Sequence, residues 1–478
     1  MNREPAPPSR NGRVRESISE SASAPICVIG AGCSGLVTLR ALLDAGISCQ
    51  AYELGSRVGG LWVFQNDNGR SAAYRSLRIN TSARAMELTG FAWPPGTQDY
   101  PRHDQVADYF ASYAERFGLA EHIAFRTEVL SCVPVATGGY EVSTRDLSTA
   151  ETQTRWFAGV VVANGHHWSK TLPKPLPTGE FAGAILHSHD YVDPTTPIEL
   201  RTKRVLVVGM GNSAVDIASE LAARGEAEQV LLSARRGVWV IPKYIRGKPA
   251  DQGHVIPRWL PAKFRRRVVT RAFTLLFGRM RDHGLPEPDH LIGEAHPTLS
   301  SELPSLVQSG AIGMRPAIRE FAGKHVVFDD GRADEVDAIV FATGYQVKFP
   351  FLAEEHVAAP DNRLSLFRRV FHPRHRRLFF VGLAQPLGAI MPIAELQAQW
   401  IAEHLAGRYS LPEHETLLAD IERDEQAVRS RYVASPRHTM QIEPEAYTAA
   451  VRRELRLGAR RARRGLGMAF PASPAPSS

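Results

Sequence analysis

"ICVIGAGCSG", residues 26–35, is the stretch that decides the fold. A short apolar run is followed by glycines at positions 30, 32 and 35, which is the GxGxxG spacing. In that spacing Gly30 permits a tight turn, Gly32 lets the backbone approach a pyrophosphate, and Gly35 lets a helix pack closely on the strand. The next residues, "GLVTLRALLDAG", have a helical pattern, and a helix N-terminus offers free N–H groups to phosphates. The stretch therefore predicts a strand–loop–helix unit that binds a dinucleotide.

The strand predicted next ends in an acidic residue. Glu53 closes "CQAYEL", 23 residues after Gly30, where a carboxylate can accept hydrogen bonds from the ribose diol of FAD or NAD. "GSRVGGLW" follows, and the adjacent Gly59 and Gly60 allow the chain to run close along an extended dinucleotide, with Leu61 and Trp62 after them. An extended ligand that must reach onward to an isoalloxazine ring favours FAD over NAD.

A second glycine loop, "VVGMGNSA", lies about 180 residues further along. Gly209 and Gly211 repeat the first two glycines, and Ala214 at the third position is still small enough for close packing. Ser213 at the start of the helix is a suitable phosphate ligand. Asp216 would repel a phosphate, so we expect it to face a ribose hydroxyl, an amide or the other domain.

The second unit differs from the first at its next strand end. "LLSARRG" has no acidic residue there but has Ser233, Arg235 and Arg236. A carboxylate would repel a 2′-phosphate, whereas a small hydroxyl followed by arginine can bind one through charge-assisted hydrogen bonds. The pattern favours NADPH for the second loop. The alternative is that the two arginines form only a solvated strand end.

Short apolar runs alternate with helical patterns around both loops, which is typical of βαβ units and a parallel sheet. The fold class is therefore α/β with two Rossmann-like dinucleotide-binding domains, and 478 residues suit two or three domains. With 44% hydrophobic and 22% charged residues, the composition is that of a globular protein. No run reaches the roughly 18 apolar residues of a membrane helix, and no signal peptide is seen. Four cysteines without CxxC or zinc spacing favour a reducing cytosol and no metal site.

The net charge of +7 is concentrated in two clusters, residues 263–267 and 452–464. Such clusters occur at nucleic-acid or anionic-lipid interfaces, but they are also typical of a solvated helix end that runs into a loose tail. No nucleic-acid motif accompanies either cluster. We therefore expect no nucleic-acid partner.

"FAGAILHSHDY" lies just before the second loop and has neither a strand nor a helix pattern. Its Phe181, Gly183, His187 and Tyr191 match FxGxxxHxxxY, the identifying sequence of flavin-containing monooxygenases. "GAGCSG", "GGLW", "INTS", "GMGNSAVDIASE", "SARRGVW" and "FATGY" follow that family's order, and coverage runs from about residue 25 to about 410. The chain thus resembles the flavin-containing monooxygenases, which are class B flavoprotein monooxygenases, and in particular their soluble bacterial-type members. From the residues, Gly183 permits an unusual backbone, and His187 ties the segment down by hydrogen bonds or acts in the chemistry.

The resemblance implies that the NADPH domain is inserted into the FAD domain. The predicted division is a disordered tail at 1–24, an FAD-binding part at 25–180, a linker at 181–198, an NADPH-binding domain at 199–315, a second FAD-binding part at 316–450, and a basic, Pro/Ser-rich tail at 451–478.

The resemblance also implies an activity. FAD reduced by NADPH reacts with O₂ to give a C4a-hydroperoxyflavin, which passes one oxygen atom to a soft N- or S-containing small molecule such as N,N-dimethylaniline. Asn80 matches the family's asparagine near the flavin and is the predicted catalytic residue, because a carboxamide can donate and accept without adding a charge. Many members have a lysine three residues later, where this chain has Ala83 followed by Arg84.

The predicted cofactor contacts form two groups. Those around the flavin loop are Gly30, Gly32, Cys33, Ser34, Gly35, Glu53, Gly60, Leu61, Trp62, Asn80 and Thr81. Those around the NADPH loop are Gly209, Gly211, Asn212, Ser213, Ala214, Asp216, Ser233, Arg235 and Arg236.

Other activities stay open at this point. A Baeyer–Villiger enzyme would attack a ketone, or a 2-oxo acid would be decarboxylated, with the same cofactors, although Tyr191-Val192 stands where Baeyer–Villiger enzymes usually have Trp-Pro. An NADPH–flavin reductase or oxidase without oxygen transfer usually has a cysteine pair near the flavin, and Cys27 and Cys33 are better explained by packing. The substrate cannot be identified from the sequence, and a homodimer stays open.

Overall fold

The computed structural model describes residues 24–136, 138–223, 225–252, 262–433 and 438–471. The predicted N-terminal tail up to residue 23 and the Pro/Ser-rich end from residue 472 lie outside the described residues.

The helices of the described residues are α1 (Cys33–Asp44), α2 (Ala83–Met86), α3 (His103–Arg116), α4 (Asn212–Ala223), α5 (Ala262–Phe277), α6 (Leu303–Gln308), α7 (Met391–Leu405), α8 (His414–Arg431) and α9 (Pro444–Arg463). The strands of the first half are β1 (Ile26–Ile29), β2 (Cys49–Tyr52), β3 (Ile123–Ala124), β4 (Thr127–Pro134), β5 (Tyr140–Asp146), β6 (Thr152–Phe157), β7 (Gly159–Val162), β8 (Ser169–Lys170), β9 (Thr178–Phe181) and β10 (Ala184–His187). The later strands are β11 (Arg204–Val208), β12 (Gln229–Ser233), β13 (Val240–Ile241), β14 (Tyr244–Ile245), β15 (Lys248–Pro249), β16 (Thr298–Leu299), β17 (Ile312–Arg315), β18 (Ile318–Gly323), β19 (His325–Phe328), β20 (Ala333–Glu335), β21 (Ala338–Phe341), β22 (Tyr345–Gln346), β23 (Leu378–Phe380), β24 (Gln385–Pro386) and β25 (Gln441–Ile442).

Two five-stranded parallel sheets confirm the predicted α/β class. The first has the order β23-β7-β1-β2-β3, and the second has the order β10-β21-β11-β12-β17. In each, the strand before a glycine loop is central, with β1 in the first sheet and β11 in the second. The second sheet lies in the chain between β7 and β23 of the first, so one unit is inserted into the other as predicted.

Each parallel sheet is covered on both faces, as parallel sheets require. In the first unit α1, α3 and α7 pack on one face and the antiparallel strands β4, β5 and β6 lie toward the other. In the second unit α4 and α6 pack on one face, and the antiparallel group β18, β19 and β20, with β9 alongside, covers the other. The glycine loops at the carboxyl ends of β1 and β11 are thereby set on rigid layers.

The segment "FAGAILHSHDY" differs from its interpretation as neither strand nor helix. It contains the end of β9 and the whole of β10, which pairs with β21. The strand was hidden because β10 is a four-residue edge strand in which two exposed residues precede two buried ones, so no period of 2 shows. Strands β10 and β21 both belong to the second sheet, which therefore extends on both sides of the predicted interval 199–315.

The two basic clusters are parts of helices that pack on the protein. α9 continues to Arg463, and its Tyr447, Val451 and Leu455 form an apolar stripe at a spacing of four residues, with Val451 fully buried. Seven arginines around that stripe concealed it in the sequence, so residues 451–463 are not a tail. In the other cluster Arg266 on α5 is buried and pairs with Glu443 at 2.7 Å.

Among the described residues, none of the helices combines the length and the apolar character needed to span a membrane.

Candidate functional site

The first glycine loop has the geometry that its spacing predicts. Gly30 has a φ of +105°, and a Cβ placed on it would lie 2.7 Å from the carbonyl oxygen of Ala163. A Cβ on Gly35 would lie 1.8 Å from the carbonyl oxygen of Gly30, so strand and helix touch through backbone atoms. Gly32 is the N-cap of α1 and offers no side-chain cap, which leaves the first N–H groups of the helix for a ligand.

Glu53 is buried at the end of β2 and organises this loop. Its Oε2 accepts a hydrogen bond from the backbone N–H of Ala31 at 2.7 Å, and its Oε1 accepts one from Gly55 at 2.8 Å. Asn68 also donates to Oε1, at 3.3 Å. A carboxylate can accept about four hydrogen bonds, so capacity remains for a ribose hydroxyl. The sequence did not reveal that Glu53 also fixes the loop itself.

The paired glycines after Glu53 lie directly against the glycine loop. Gly59 has a φ of +119° and its N–H donates to the carbonyl of Ala31 at 3.0 Å. A Cβ on Gly60 would lie 3.1 Å from the Cα of Gly32, so two bare backbones meet where the pyrophosphate is expected. Leu61 and Trp62 follow and are half-buried. A cradle without side chains, at a helix N-terminus and beside a buried carboxylate, fits the diphosphate and ribose of FAD.

The cysteines near this loop are packed rather than reactive. Burial raises the pKa of Cys33 to about 12, with the charge of Glu395 contributing, and burial also raises the pKa of Cys27 well above its usual value. All four cysteines are free. Since a thiolate is the reactive form, neither thiol suits disulfide redox chemistry. Ser34, the next predicted contact, packs against Gly382, whose Cβ would lie 2.1 Å from the Ser34 hydroxyl.

The second glycine loop repeats the first. Gly209 has a φ of +132°, and its Cβ would lie 2.6 Å from the carbonyl oxygen of Ala342, which follows β21 as Ala163 follows β7. Ala214 is fully buried beneath the loop. Asn212 accepts a hydrogen bond from the N–H of Leu299 at 2.8 Å, so its amide supports the loop. Gly211 and Ser213 are half-buried at the start of α4.

The strand end that was predicted to bind a 2′-phosphate is only partly as expected. Ser233 is buried, and its hydroxyl donates to the carbonyl of Pro316 at 2.7 Å, so that hydrogen is not available to a phosphate. That partner lies 83 residues away, beyond what the local pattern could show. Arg236 is exposed and pairs with Asp289 at 2.7 Å. Arg235 is exposed and has no ion pair within the described residues, so its guanidinium is available to a ligand.

Helix α4 holds two buried phenols through carboxylates one turn apart. Tyr74 donates to Asp216 at 2.7 Å, and Tyr191 donates to Glu220 at 2.9 Å. Burial raises the pKa of Asp216, and the hydrogen bond that Tyr74 donates to the carboxylate opposes this rise. Asp216 therefore contacts a segment of the first unit, which was one of the options that its charge left open. Tyr191 of FxGxxxHxxxY thus anchors its segment to the NADPH-side helix.

The other residues of FxGxxxHxxxY also have structural contacts. The N–H of His189 donates to Nδ1 of His187 at 3.1 Å, which orders the turn within the segment, and Nε2 of His187 is buried without a partner among the described residues. Burial lowers the pKa of His187 to about 4, which keeps the ring neutral near pH 7. Gly183 is required for space rather than for an unusual backbone, because its Cβ would lie 2.4 Å from the carbonyl of Asp337.

Asn80 lies on a short segment before α2. Its Oδ1 is buried and has no hydrogen-bond partner among the described residues, and its neighbour Ile79 packs in the same apolar cluster as Trp62 and α1. Thr81 is half-buried, and Arg84, next to the position of the family's lysine, is exposed. A buried amide oxygen without a protein partner, next to the core of the flavin loop, is available to a ligand.

The structure therefore joins Gly30, Gly32, Gly35, Glu53 and Gly60 into one cradle. Ile79, the neighbour of Asn80, packs in the apolar cluster that includes α1. The contacts that the sequence did not reveal come from Tyr74, Asp251 and Gln252, which hold the segment around Asn80. Nothing in the local sequence around Tyr74 or Asp251 indicated these contacts, because each joins residues more than 100 positions apart.

Two dinucleotide-binding sheets, one with a ribose-type carboxylate and one with an exposed arginine, define a flavoprotein oxidoreductase that uses a phosphorylated nicotinamide. The family model described as "FMO-like: Flavin-binding monooxygenase-like" matches residues 23–456. The chain belongs to this flavin-binding monooxygenase family.

Curated relatives agree over most of the chain. Flavin-containing monooxygenase 5 of Oryctolagus cuniculus is 37% identical over 437 residues, in an alignment that covers 87% of this chain and 80% of the relative. Dimethylaniline monooxygenase [N-oxide-forming] 2 of Mus musculus is 37% identical over 427 residues, in an alignment that covers 84% of this chain and 77% of the relative. The resemblance predicted from the motifs is thus confirmed, and the protein is an NADPH-dependent flavin monooxygenase with FAD and NADPH as cofactors.

Solved structures show the same fold. S-allyl-L-cysteine S-oxygenase from Allium sativum superposes with a TM-score of 0.68 at 24% identity, covering 93% of each chain. Steroid monooxygenase bound to NADP superposes with a TM-score of 0.65 at 19% identity, covering 91% of this chain and 98% of that one.

Proposed function

We propose that this enzyme transfers one oxygen atom from O₂ to a soft nitrogen or sulfur centre of a small molecule. The observation that carries the proposal is the neutral carboxamide of Asn80, whose Oδ1 is buried and has no partner among the described residues. A neutral amide can orient polar groups of a cofactor and a substrate without adding a charge to a dry site. The relatives named for N-oxide formation and S-oxygenation support the same substrate class.

The roles of the other residues follow from their contacts. A bound flavin would supply the hydride acceptance from NADPH and the activation of O₂. Gly30, Gly32 and Gly60 would provide the bare backbone for its diphosphate, and Glu53, which orients the loop, would accept from the ribose. All four cysteines are free, so no disulfide is present to accept electrons from the flavin.

Substrate-dependent turnover tests this function. With NADPH and O₂, we expect a tertiary amine or a thioether to give close to one oxygenated product per NADPH, and a cyclic ketone to give less, because Asn80 brings no positive charge toward a carbonyl oxygen. Product, NADPH and hydrogen peroxide are measured together with N,N-dimethylaniline, a methyl aryl sulfide and cyclohexanone. If the ester formed from cyclohexanone exceeded the amine and sulfide products, Baeyer–Villiger oxidation would replace the proposed activity. If all three substrates gave only hydrogen peroxide, the protein would instead be an NADPH oxidase.

We assign NADPH selection to Arg235. Replacing Arg235 with alanine is expected to raise the KM for NADPH by about 10- to 100-fold, because one charge-assisted hydrogen bond to the 2′-phosphate is lost. The KM for NADH, which lacks that phosphate, is expected to stay unchanged, and steady-state NADPH and NADH oxidation measures both. Arg332→Ala is the control, since Arg332 is an exposed arginine of the same unit that pairs with Asp330. An equal loss with both nucleotides would show that Arg235 does not read the phosphate.

A reducing compartment such as the cytosol fits the four free cysteines. The substrate is a small molecule together with O₂, and a homodimer stays a prediction.

A further inference from the structure

The segment that carries Asn80, residues 74–82, is held at both ends by the NADPH-side unit. At one end Tyr74 donates to Asp216 of α4 at 2.7 Å. At the other end the backbone N–H of Ser82 donates to Oδ2 of Asp251 at 2.7 Å, and Gln252 donates to the Ser82 hydroxyl at 3.1 Å. Asp251 lies 169 residues from Ser82, between the second glycine loop and α5. A carboxylate of one unit thus grips the backbone of the other, two residues from the predicted catalytic amide.

The hydrogen bond between Ser82 and Asp251 is shielded from solvent at Ser82. Ser82 is fully buried and its hydroxyl also caps α2 by accepting from Ala85. The segment that carries Asp251 is also held by Tyr100. The Tyr100 hydroxyl donates to the carbonyl of Lys243 at 2.5 Å and accepts from the N–H of Ala250 at 3.3 Å. The N–H that Ser82 donates to Asp251 is part of the peptide bond between Thr81 and Ser82. The carboxylate of Asp251 therefore fixes the orientation of that peptide.

We propose that Asp251 is a positioning residue for Asn80, so that the Asn80 segment adopts its working shape only when the NADPH-side unit is docked on it. The carboxylate holds the Ser82 N–H, the peptide between Thr81 and Ser82 is fixed, and the Asn80 amide is thereby held toward the bound ligands. Oδ1 of Asp251 is buried as well and has no partner among the described residues, so the backbone hydrogen bond is its main contact. The inference rests on the proposed role of Asn80.

Asp251→Ala tests the inference. Because small displacements of a positioned group cost large factors in rate, kcat for oxygenation is expected to fall about 10- to 100-fold. The KM for NADPH and the FAD content are expected to stay within about threefold, and electrons lost from product are expected to appear as hydrogen peroxide. Asp251→Asn keeps an oxygen that accepts from Ser82 and is expected to recover most of the product yield. Product, peroxide and flavin content are measured on the same preparations.

The control is Asp146→Ala, which removes a carboxylate that accepts from the N–H groups of Ser148 at 2.6 Å and Thr149 at 3.0 Å in a turn after β5. It is expected to leave the product yield unchanged. An unchanged yield in Asp251→Ala would overturn the inference, as would a parallel loss of FAD and NADPH binding. If Asp251→Ala does not fold, low product yield in a folded Asp251→Asn would overturn it instead. Asn80→Ala with full activity would overturn the role of Asn80, whereas an inactive Asn80→Ala beside an active Asp251→Ala would overturn the positioning alone.

Discussion

Replacing Gly35 with alanine is expected to give a protein that binds no FAD and is strongly destabilised. The new Cβ would lie 1.8 Å from the carbonyl oxygen and 2.7 Å from the carbonyl carbon of Gly30, and both are backbone atoms. Gly30 has little room to shift in response, because even a Cβ placed on it would lie only 2.7 Å from the carbonyl oxygen of Ala163. Overpacking typically costs about 1–3 kcal/mol, and a clash with backbone atoms belongs at the upper end of that range. The strand–helix contact that shapes the phosphate site is lost with it. Flavin absorbance after purification and thermal unfolding measure the two effects.

Gly32→Ala is the matched comparison, because it separates packing from ligand approach. Gly32 has a φ of −74°, which any residue can adopt, and its Cβ would lie 3.5 Å from the Cα of Gly60, an ordinary contact. The free energy of unfolding of this variant is expected to fall by about 1 kcal/mol or less relative to the wild-type apoprotein, which corresponds to a few degrees in the unfolding midpoint. FAD is nevertheless expected to be lost, because the methyl group occupies the space through which the pyrophosphate approaches the backbone. A flavin-loaded Gly35→Ala protein of normal stability would contradict the packing account of this loop.

The parts of the site that the sequence predicted are those encoded by local geometry. Glycine spacing defines a turn, a close approach and a packing contact within six residues, so the residue order alone was enough to predict the geometry of Gly30, Gly32 and Gly35. Glu53 could be placed beside this loop because it follows the next strand of the same unit, and adjacent parallel strands bring their carboxyl ends together.

The parts that the sequence did not predict depend on contacts between distant segments. Ser233 has the residue type of a phosphate ligand, but the carbonyl of Pro316 claims its hydroxyl. Asp251 had no distinguishing feature in the sequence, and its proposed positioning role depends on the hydrogen bond that it accepts from the distant Ser82. In the same way the arginines of α9 suggested a solvated tail, whereas Val451 of that helix is buried in the core. Residue type gives the chemistry available, and tertiary packing decides where it is used.

Asn80 is the strictest test of the proposed chemistry, because its removal should leave the fold almost untouched. Its Oδ1 has no hydrogen-bond partner among the described residues, so Asn80→Ala removes no protein contact of that oxygen. We expect normal FAD content, a normal thermal unfolding midpoint, and NADPH oxidation that continues. Oxygenated product is expected to fall about 100-fold, as when a single preorganised polar group is removed from an active site. Product and peroxide yields per NADPH, measured with a thioether, check the expectation.

Two further variants decide why activity falls. Asn80→Asp keeps the size but cannot donate when ionised and adds a buried negative charge, so it should be at least as impaired as Asn80→Ala. Gln308→Ala removes an exposed carboxamide that donates to the carbonyl of Asp282, and it should behave as wild type. If Asn80→Asp were active, the donor function of the amide would be dispensable. If Asn80→Ala kept its product yield, neither the donor nor the acceptor would matter, and the neutral amide could no longer be the reason why this site hands oxygen to nitrogen or sulfur.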